Sequence, residues 1–281
     1  MRPLILLICI LISQLGLAQH STLRFFDEPF GLDQQSILVV PFEEKMYLSD
    51  VNSEIAKANQ LSTAQIISRF SNAMDQSIYY AFKDRCQVTN FRNFDDDSAS
   101  SDLTYVYQNV DLEYVLVKKE VKTKGGIQSL TKKFSKKDKA SDKYDRGGLS
   151  DGQVVTKSDE RERYMKAVVN DQAMLDSMNQ RFGNNFILFL NELDFKNDYT
   201  DALAMQRMEY QRELKVHFTL YNKEGELLAT GVSRTMVPST ENNINEITSK
   251  YFPILAKNIF EALFPAEDEE TSEAKVKLQW K

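Results

Sequence analysis

The chain has 281 residues, of which 42% are hydrophobic and 27% are charged, and its formal net charge is −6. A mildly acidic chain is not attracted to a phosphate backbone, so this balance argues against bulk binding to nucleic acid. The length is sufficient for one sizeable hydrophobic core or two small ones.

Residues 1–18 have the organisation of a secretory signal peptide. Arg2 supplies the positive charge, Leu4 to Ile12 form an apolar run, and Gly16-Leu17-Ala18 offers small residues before a cleavage site. An apolar run of about nine residues is far shorter than the ~20 residues needed to span a bilayer. We therefore expect cleavage near Ala18 and a periplasmic or secreted mature protein.

Cleavage would leave Cys86 as the only cysteine, because Cys9 lies within the apolar run. No intramolecular disulfide is then available. Cys9 lacks the small residues that precede a lipid-modified cysteine, so we do not expect a lipid anchor. We expect Cys86 to be a small buried apolar residue, with a reactive thiol as the alternative.

The segment Ser36 to Phe42 is apolar and rich in β-branched residues. A strand with no polar face has to lie in the middle of a sheet that is covered on both sides. Further along, Ser62 and Gln65 have the spacing of a capping box, and apolar residues recur at three- and four-residue steps up to Phe82. The pattern predicts a helix from about Ser62 to Phe82 that packs on the sheet.

The next segments predict a short strand at Gln87 to Phe91, a short helix near Ser101 to Gln108 and a strand at Tyr114 to Val117. Residues 118–146 then contain ten lysines and one arginine with few large apolar residues. Such a segment buries too little apolar surface to offset the entropy of ordering it. We expect a mobile lysine-rich insertion at about residues 122–160.

The lysines of this insertion are the candidate partner-binding residues. In the cell envelope their partners would be anionic lipid head groups, lipopolysaccharide or an acidic protein face, and each lysine near an anionic surface contributes about 1 kcal/mol. The alternative is a charged loop that only favours solubility. The candidate residues are Lys132, Lys133, Lys136, Lys137 and Lys139.

A second strand without a polar face is predicted at Phe186 to Leu190. The helix before it is capped by Asn170 or Asp171 and ends at Gly183. Together with Ile37 to Val40, this strand is expected to form the central pair of the sheet.

The C-terminal third predicts a β-hairpin followed by a helix. Leu214 to Leu220 alternates apolar and polar residues, Asn222 to Gly225 has turn chemistry, and Leu227 to Val237 forms the returning strand. A helical segment opens at Ser239, and Pro253 is expected to kink or split it.

No motif identifies a catalytic site. Acid–base and nucleophilic chemistry most often uses a histidine near a nucleophile or a carboxylate, but the mature chain has only His20 and His217. We expect His217 to be a surface residue on the more polar face of its strand. A hydrolase that uses carboxylates alone is the alternative, because four acidic residues lie near predicted strand ends: Asp50, Glu54, Glu192 and Asp194.

The sequence assigns no cofactor or metal ligand either. No G-x-S-x-G turn or phosphate loop is present. The acidic segment at Asp95-Asp96-Asp97 fails the calcium-loop template, because Ser100 stands where glycine is required. We interpret this segment as a solvated acidic turn.

The order of elements, entered through Ile37-Leu38-Val39-Val40-Pro41-Phe42, resembles a group of bacterial envelope α/β domains. The group includes the TolB amino-terminal domain, the curli-secretion lipoprotein and the penicillin-binding-protein activator lipoproteins. The resemblance covers about Gln35 to Phe264 and implies a domain that binds partners in the periplasm without catalysis. The chain departs from these lipoproteins at Gln19, where they carry an acylated cysteine.

Together, these features predict an α/β fold with a mixed sheet of about five strands and packed helices. A single domain at residues 19–265 would carry the insertion, and residues 266–281 would form an acidic tail. The expected function is that of a non-enzymatic interaction protein assisting envelope assembly or transport. The alternatives are the carboxylate-dependent hydrolase and a carrier with an apolar pocket beneath the helices.

Overall fold

The computed structural model describes residues 21–25, 32–91, 97–117, 147–150, 153–156, 162–200, 202–207 and 210–264. The predicted signal peptide, the candidate lysines, the acidic turn at Asp95 and Asp96 and the predicted tail lie outside the described residues.

The described residues form eleven strands and seven α-helices. The strands are β1 Ser21–Phe25, β2 Ser36–Val40, β3 Tyr47–Ser49, β4 Gln87–Asn90, β5 Val110–Leu116, β6 Gly147–Ser150, β7 Gln153–Thr156, β8 Arg163–Val169, β9 Phe186–Asp198, β10 Gln211–Asn222 and β11 Leu227–Pro238. The helices are α1 Asn52–Asn59, α2 Thr63–Phe82, α3 Asp97–Gln108, α4 Gln172–Phe182, α5 Ala202–Arg207, α6 Ile244–Lys250 and α7 Phe252–Leu263.

The main sheet has the strand order β1-β11-β10-β9-β2-β4, and β3 also pairs with β9. Strand β2 runs parallel to both of its neighbours, β4 and β9, whereas β9, β10, β11 and β1 are joined by antiparallel pairing. The predicted mixed α/β fold and its central pair are confirmed, with Ile37 opposite Phe186 and Val40 opposite Phe189. The sheet is larger than the expected five strands because the short strands β1 and β3 join it.

The residues of β2 explain why this strand is central. Ile37 and Val39 belong to one buried apolar cluster, which also contains the apolar stripes of α2 and α7. Leu38 and Val40 belong to a second cluster, which contains apolar residues of α3 and α4. Helices therefore cover both faces of the sheet, as a strand without a polar face requires.

Local signals set the ends of several helices. Ser62 and Gln65 form the predicted capping box at the start of α2. Asp171 caps α4, and Gly183 ends it in the left-handed conformation with φ of 64°. Pro253 lies in the first turn of α7 and separates it from α6, so the predicted split is confirmed.

Two predictions in the middle of the chain differ from the structure. The short helix near Ser101 begins earlier, at Asp97. The strand expected at Tyr114 to Val117 covers Val110–Leu116 and pairs with β8, outside the main sheet. The residues of β8 do not predict a strand, because their pattern is neither strictly alternating nor wholly apolar.

The chain divides into two compact units. One contains the residues up to Tyr114 and from Tyr164 onward, and the other is Val115–Arg163. In the second unit, β6 pairs antiparallel with β7, from Gly147 opposite Thr156 to Ser150 opposite Gln153. No helix within the described residues is both long and apolar enough to cross a membrane.

Candidate functional site

A β-bulge in β9 sets the chemistry of one sheet face. His217 of β10 lies opposite Glu192, but its neighbour Phe218 lies opposite Leu190, so Asn191 is an extra residue in β9. Side chains alternate faces along a strand, and without the bulge Glu192 would share the apolar core face with Leu190. The extra residue instead places Glu192 on the face that carries His217, which is a common use of bulges.

The edge of β8 lies against this polar face. The backbone N–H and C=O groups of Met165 and Ala167 all form hydrogen bonds with side chains of the main sheet. These side chains supply the bonds that the backbone of a neighbouring strand would otherwise supply. We call these four side chains the side-chain ladder. The bonds are Met165 N–H to His217 Nδ1 at 2.8 Å, Asn191 Nδ2 to Met165 O at 2.9 Å, Ala167 N–H to Thr219 Oγ1 at 3.1 Å and Tyr221 O–H to Ala167 O at 2.9 Å.

Next to the side-chain ladder, His217 faces two carboxylates. Its Nε2 atom lies 3.6 Å from Oε1 of Glu192 and 3.9 Å from Oδ2 of Asp194. All three residues are buried, with exposed fractions of 1% for Glu192, 3% for Asp194 and 2% for His217. We call these three residues the His217 cluster.

The hydrogen bond from Met165 fixes the protonation pattern of the imidazole. An Nδ1 atom that accepts a hydrogen bond carries no proton, so the single proton of the neutral ring is on Nε2. This Nε2–H group points toward the carboxylates. His217 is therefore a neutral ring that accepts from β8 on one side and presents a proton to acidic groups on the other.

Glu192 and Asp194 differ in their electrostatic surroundings. Burial raises the pKa of Glu192, and the charge of Asp194 adds to this effect, while a hydrogen bond from the Tyr114 hydroxyl opposes it. Burial acts in the same direction on Asp194, but the neighbouring His217 and the charges of Lys196 and Lys215 outweigh it and lower its pKa to about 2. The lysines at 196 and 215 place Nζ atoms 2.9 Å and 3.6 Å from the Asp194 carboxylate.

The His217 cluster has a spacing that invites comparison with a metal centre. One ligand atom from each residue lies within 4.8 Å of the others. A histidine that binds a metal through Nε2 usually donates its Nδ1–H group to an acceptor, whereas Nδ1 of His217 accepts from Met165. Lys196 and Lys215 already balance the Asp194 charge. The geometry therefore fits a charge-compensated hydrogen-bond network better than a ligand set.

The prediction that His217 is a surface residue is wrong. The polar face of β10 is covered by β8, and burial is tolerated because His217, Thr219 and Tyr221 all bond to the β8 backbone. The sequence signal for this contact is the alternation of His217, Thr219 and Tyr221 along β10, because all three side chains can form hydrogen bonds with a covering backbone. Nothing in the sequence identified the strand that they would hold.

Of the four acidic residues considered for a hydrolase, the structure brings only Glu192 and Asp194 together. Asp50 accepts a hydrogen bond from the backbone of Asn197 at 3.0 Å, and Glu54 pairs with a buried arginine. Cys86 is 5% exposed, as predicted for a buried apolar residue.

A separate open groove lies between α2 and the C-terminal helices. It has a volume of about 660 Å³, and its lining includes Ala73, Tyr80, Pro253 and Phe260. Its lining also includes Lys257 and Glu261, whose Nζ and Oε1 atoms lie 3.4 Å apart. The groove thus offers mainly apolar surface with one ion pair, and none of the residues of the His217 cluster.

The sequence matches no protein-family model, and no curated protein gives a significant match to it. The resemblance to the TolB and curli-secretion group therefore stays a prediction.

Proposed function

We propose that this protein is an exported, non-enzymatic binding protein that assists an assembly or transport process in the bacterial cell envelope. Three features support the proposal: the signal-peptide pattern of residues 1–18, the mixed α/β fold and the separation of buried ionisable groups from the open surface.

The separation of buried ionisable groups from the open surface is the main support for a non-enzymatic protein. The His217 cluster is the convergent set of histidine and carboxylate groups within the described residues, and its members are at most 3% exposed. Its imidazole bonds to the backbone of β8, so it holds a strand in place. An enzyme needs such groups within reach of a substrate, whereas the open groove contains no histidine and one carboxylate, that of Glu261, which is paired with Lys257 at 3.4 Å.

The lysine-rich insertion supplies the proposed partner-binding surface. Val117 N–H donates to Glu162 O at 2.9 Å, so the chain ends that flank the insertion lie side by side. Deleting residues 122–160 leaves residues 118–121 and 161 to connect them, a length suited to a hairpin loop. We expect the fold to survive this deletion.

The test is a cross-linking pull-down from native envelope, performed with the full mature chain and with the deletion variant. Partner or membrane association should be lost in the deletion variant and in a variant with glutamine at Lys132, Lys133, Lys136, Lys137 and Lys139. A matched control replaces five exposed lysines elsewhere, namely Lys57, Lys83, Lys223, Lys250 and Lys257. Unchanged capture by the deletion variant would refute the role of the insertion.

Vesicles distinguish the two kinds of partner. Binding to anionic vesicles but not to zwitterionic ones, with a steep loss at higher salt, identifies a lipid surface. Capture of a specific envelope protein without vesicle binding identifies an acidic protein face.

The convergence of Glu192 and Asp194 favours one second candidate, a carboxylate-dependent hydrolase. Activity screening with and without a chelator tests it. Loss of a measured activity in Glu192→Ala, with activity retained in Asp50→Ala, would support the enzyme and contradict the binding protein.

Mass spectrometry of the native protein tests the third candidate, because a co-purified apolar molecule would identify a carrier.

A further inference from the structure

We propose that His217 is an acid-sensitive latch that holds the β8 edge on the main sheet at neutral pH and releases it when the imidazole gains a second proton. The inference is independent of the partner and of the lysine-rich insertion. It rests on the direction of one hydrogen bond and on the charges that surround one ring.

The acid sensitivity follows from which of the two ring nitrogens of His217 carries a proton. In the closed state Nε2 carries the proton of the neutral ring, and the lone pair of Nδ1 accepts the N–H of Met165 at 2.8 Å. A second proton, taken from solvent, has to bind Nδ1 because Nε2 is already protonated. Two N–H groups would then point at each other, so the bond to Met165 breaks and the edge of β8 must move away.

The groups around the ring favour the protonated state once it forms. From β9, the carboxylates of Glu192 and Asp194 lie 3.6 Å and 3.9 Å from Nε2, and an opposite charge at this distance stabilises a cation. Lys196 and Lys215 oppose protonation, although each is engaged with Asp194.

Further titratable groups belong to the strands β5 and β8. Tyr114 of β5 donates to Oε2 of Glu192. The other carboxylate oxygen of Glu192, Oε1, faces the ring. On β8 itself, Lys166 is paired with Glu113 at 2.7 Å. The released imidazolium therefore has two carboxylate partners beside it, and the neutral ring has a backbone donor.

The sign of the effect follows from linkage. The closed state excludes one proton that the open state binds, so closing is favoured at high pH and is weakened as pH falls. Once the open state has bound the extra proton, opening becomes about tenfold more favourable for each further pH unit of acidification.

Hydrogen exchange of the full mature chain tests the latch. Protection of residues 163–169 is measured between about pH 8 and pH 5 and corrected for the intrinsic pH dependence of exchange. We expect the corrected protection to fall with decreasing pH toward a limit of about tenfold per pH unit, while protection of β9 and β10 stays constant. A corrected protection that changes less than twofold across this range would overturn the proposal.

Two variants distinguish an effect of protonating His217 from the effect of simply losing one hydrogen bond to β8. His217→Asn places an amide oxygen near the position of Nδ1, so β8 should stay protected while its pH dependence disappears. Thr219→Val removes the acceptor for Ala167 N–H, so exchange should rise by the same factor at every pH and the pH dependence should remain. An unchanged pH dependence in His217→Asn would overturn the latch.

A measurement on the unaltered protein covers the case in which a variant fails to fold. Nitrogen-15 chemical shifts of the imidazole report which nitrogen carries the proton. We expect an Nε2–H neutral ring near pH 8 that converts to the doubly protonated form as β8 loses protection. An Nδ1–H ring near pH 8 would contradict the proposal directly.

Discussion

The guanidinium of Arg212 is 1% exposed and pairs with the carboxylate of Glu54, whose side chain is 45% exposed. The same guanidinium donates to the carbonyl of Glu241 and to the side chain of Asn242, both at 2.9 Å. A buried cation is stable only when it is paired and hydrogen-bonded. Glu54, which the sequence offered as a catalytic candidate, thus anchors α1 to β10.

Replacing Glu54 by glutamine should destabilise the fold by about 1–3 kcal/mol, because a buried charge loses its counter-charge. Urea denaturation at neutral pH measures the change in the free energy of unfolding. Glu224→Gln is the matched control, since Glu224 is 63% exposed and lies 3.9 Å from Lys223. The control should change stability by less than about 0.5 kcal/mol, and equal effects of the two substitutions would contradict the anchoring role.

Asn191→Ala should destabilise the fold by about 2 kcal/mol, because the buried Met165 carbonyl loses this donor and Thr219 Oγ1 loses one donor while keeping its bond from Ala167 N–H. Asn191 Nδ2 donates to the Met165 carbonyl at 2.9 Å and to Thr219 Oγ1 at 2.8 Å. Exchange of β8 should rise as well, since one bond of the side-chain ladder is lost. Asn245→Ala, on the exposed side of α6, is the control, and a neutral result for Asn191→Ala would show that the bulge does not depend on its side chain.

The two carboxylates of the His217 cluster should affect stability at acidic pH in opposite ways. The pKa of Asp194 is lowered to about 2, so its contribution is complete above the unfolded-state value of about 3.9 and is lost as pH falls toward 2. The pKa of Glu192 is raised by burial, so its contribution is present at low pH and is lost as pH rises above its folded-state pKa.

Unfolding free energies measured from about pH 2.5 to pH 7 test these signs. Asp194→Asn should flatten the decline in stability below about pH 4, where the unfolded-state carboxylate is protonated. Glu192→Gln should instead improve stability at neutral pH relative to acidic pH, because the amide avoids the cost of burying a charge while it can still bond to Tyr114. The same slope in both variants would contradict the assignment.

Added Zn²⁺ should not raise the melting temperature of the protein. A cation at Nε2 would have to displace the only proton of the imidazole while Nδ1 still accepts from Met165. Thermal unfolding with and without zinc measures the shift, and His217→Asn serves as the control for binding elsewhere. A shift of several degrees that His217→Asn abolishes would instead identify the cluster as a metal site.

The resemblance between prediction and structure is closest where short-range signals decide. Ser62 and Gln65 set the start of α2, and Asp171 and Gly183 set both ends of α4, because caps depend on residues only three or four positions apart. The apolar character of β2 likewise indicates a strand that is covered on both faces. These features need no knowledge of distant parts of the chain.

The prediction fails where the partner of a residue is distant in sequence. His217 has the alternating pattern of a half-exposed strand, and no local signal shows that β8, 52 residues earlier, covers it. The bulge at Asn191 cannot be predicted from the local sequence either, because an apolar run followed by polar residues does not show where the pairing register between β9 and β10 changes. Glu192 is therefore predicted to lie near the end of its strand, whereas it lies in the middle of β9.

The sequence by itself determined the mixed α/β fold, the central pair of strands and the helices that cover them, since hydrophobic periodicity and capping are encoded in neighbouring residues. Only the tertiary structure decided that His217, Glu192 and Asp194 meet in a buried cluster and that four side chains hold the edge of β8. The physical reason is that hydrogen bonds and charge pairs act over a few ångströms in space, so their partners are defined by strand register and layer packing, which local periodicity does not encode.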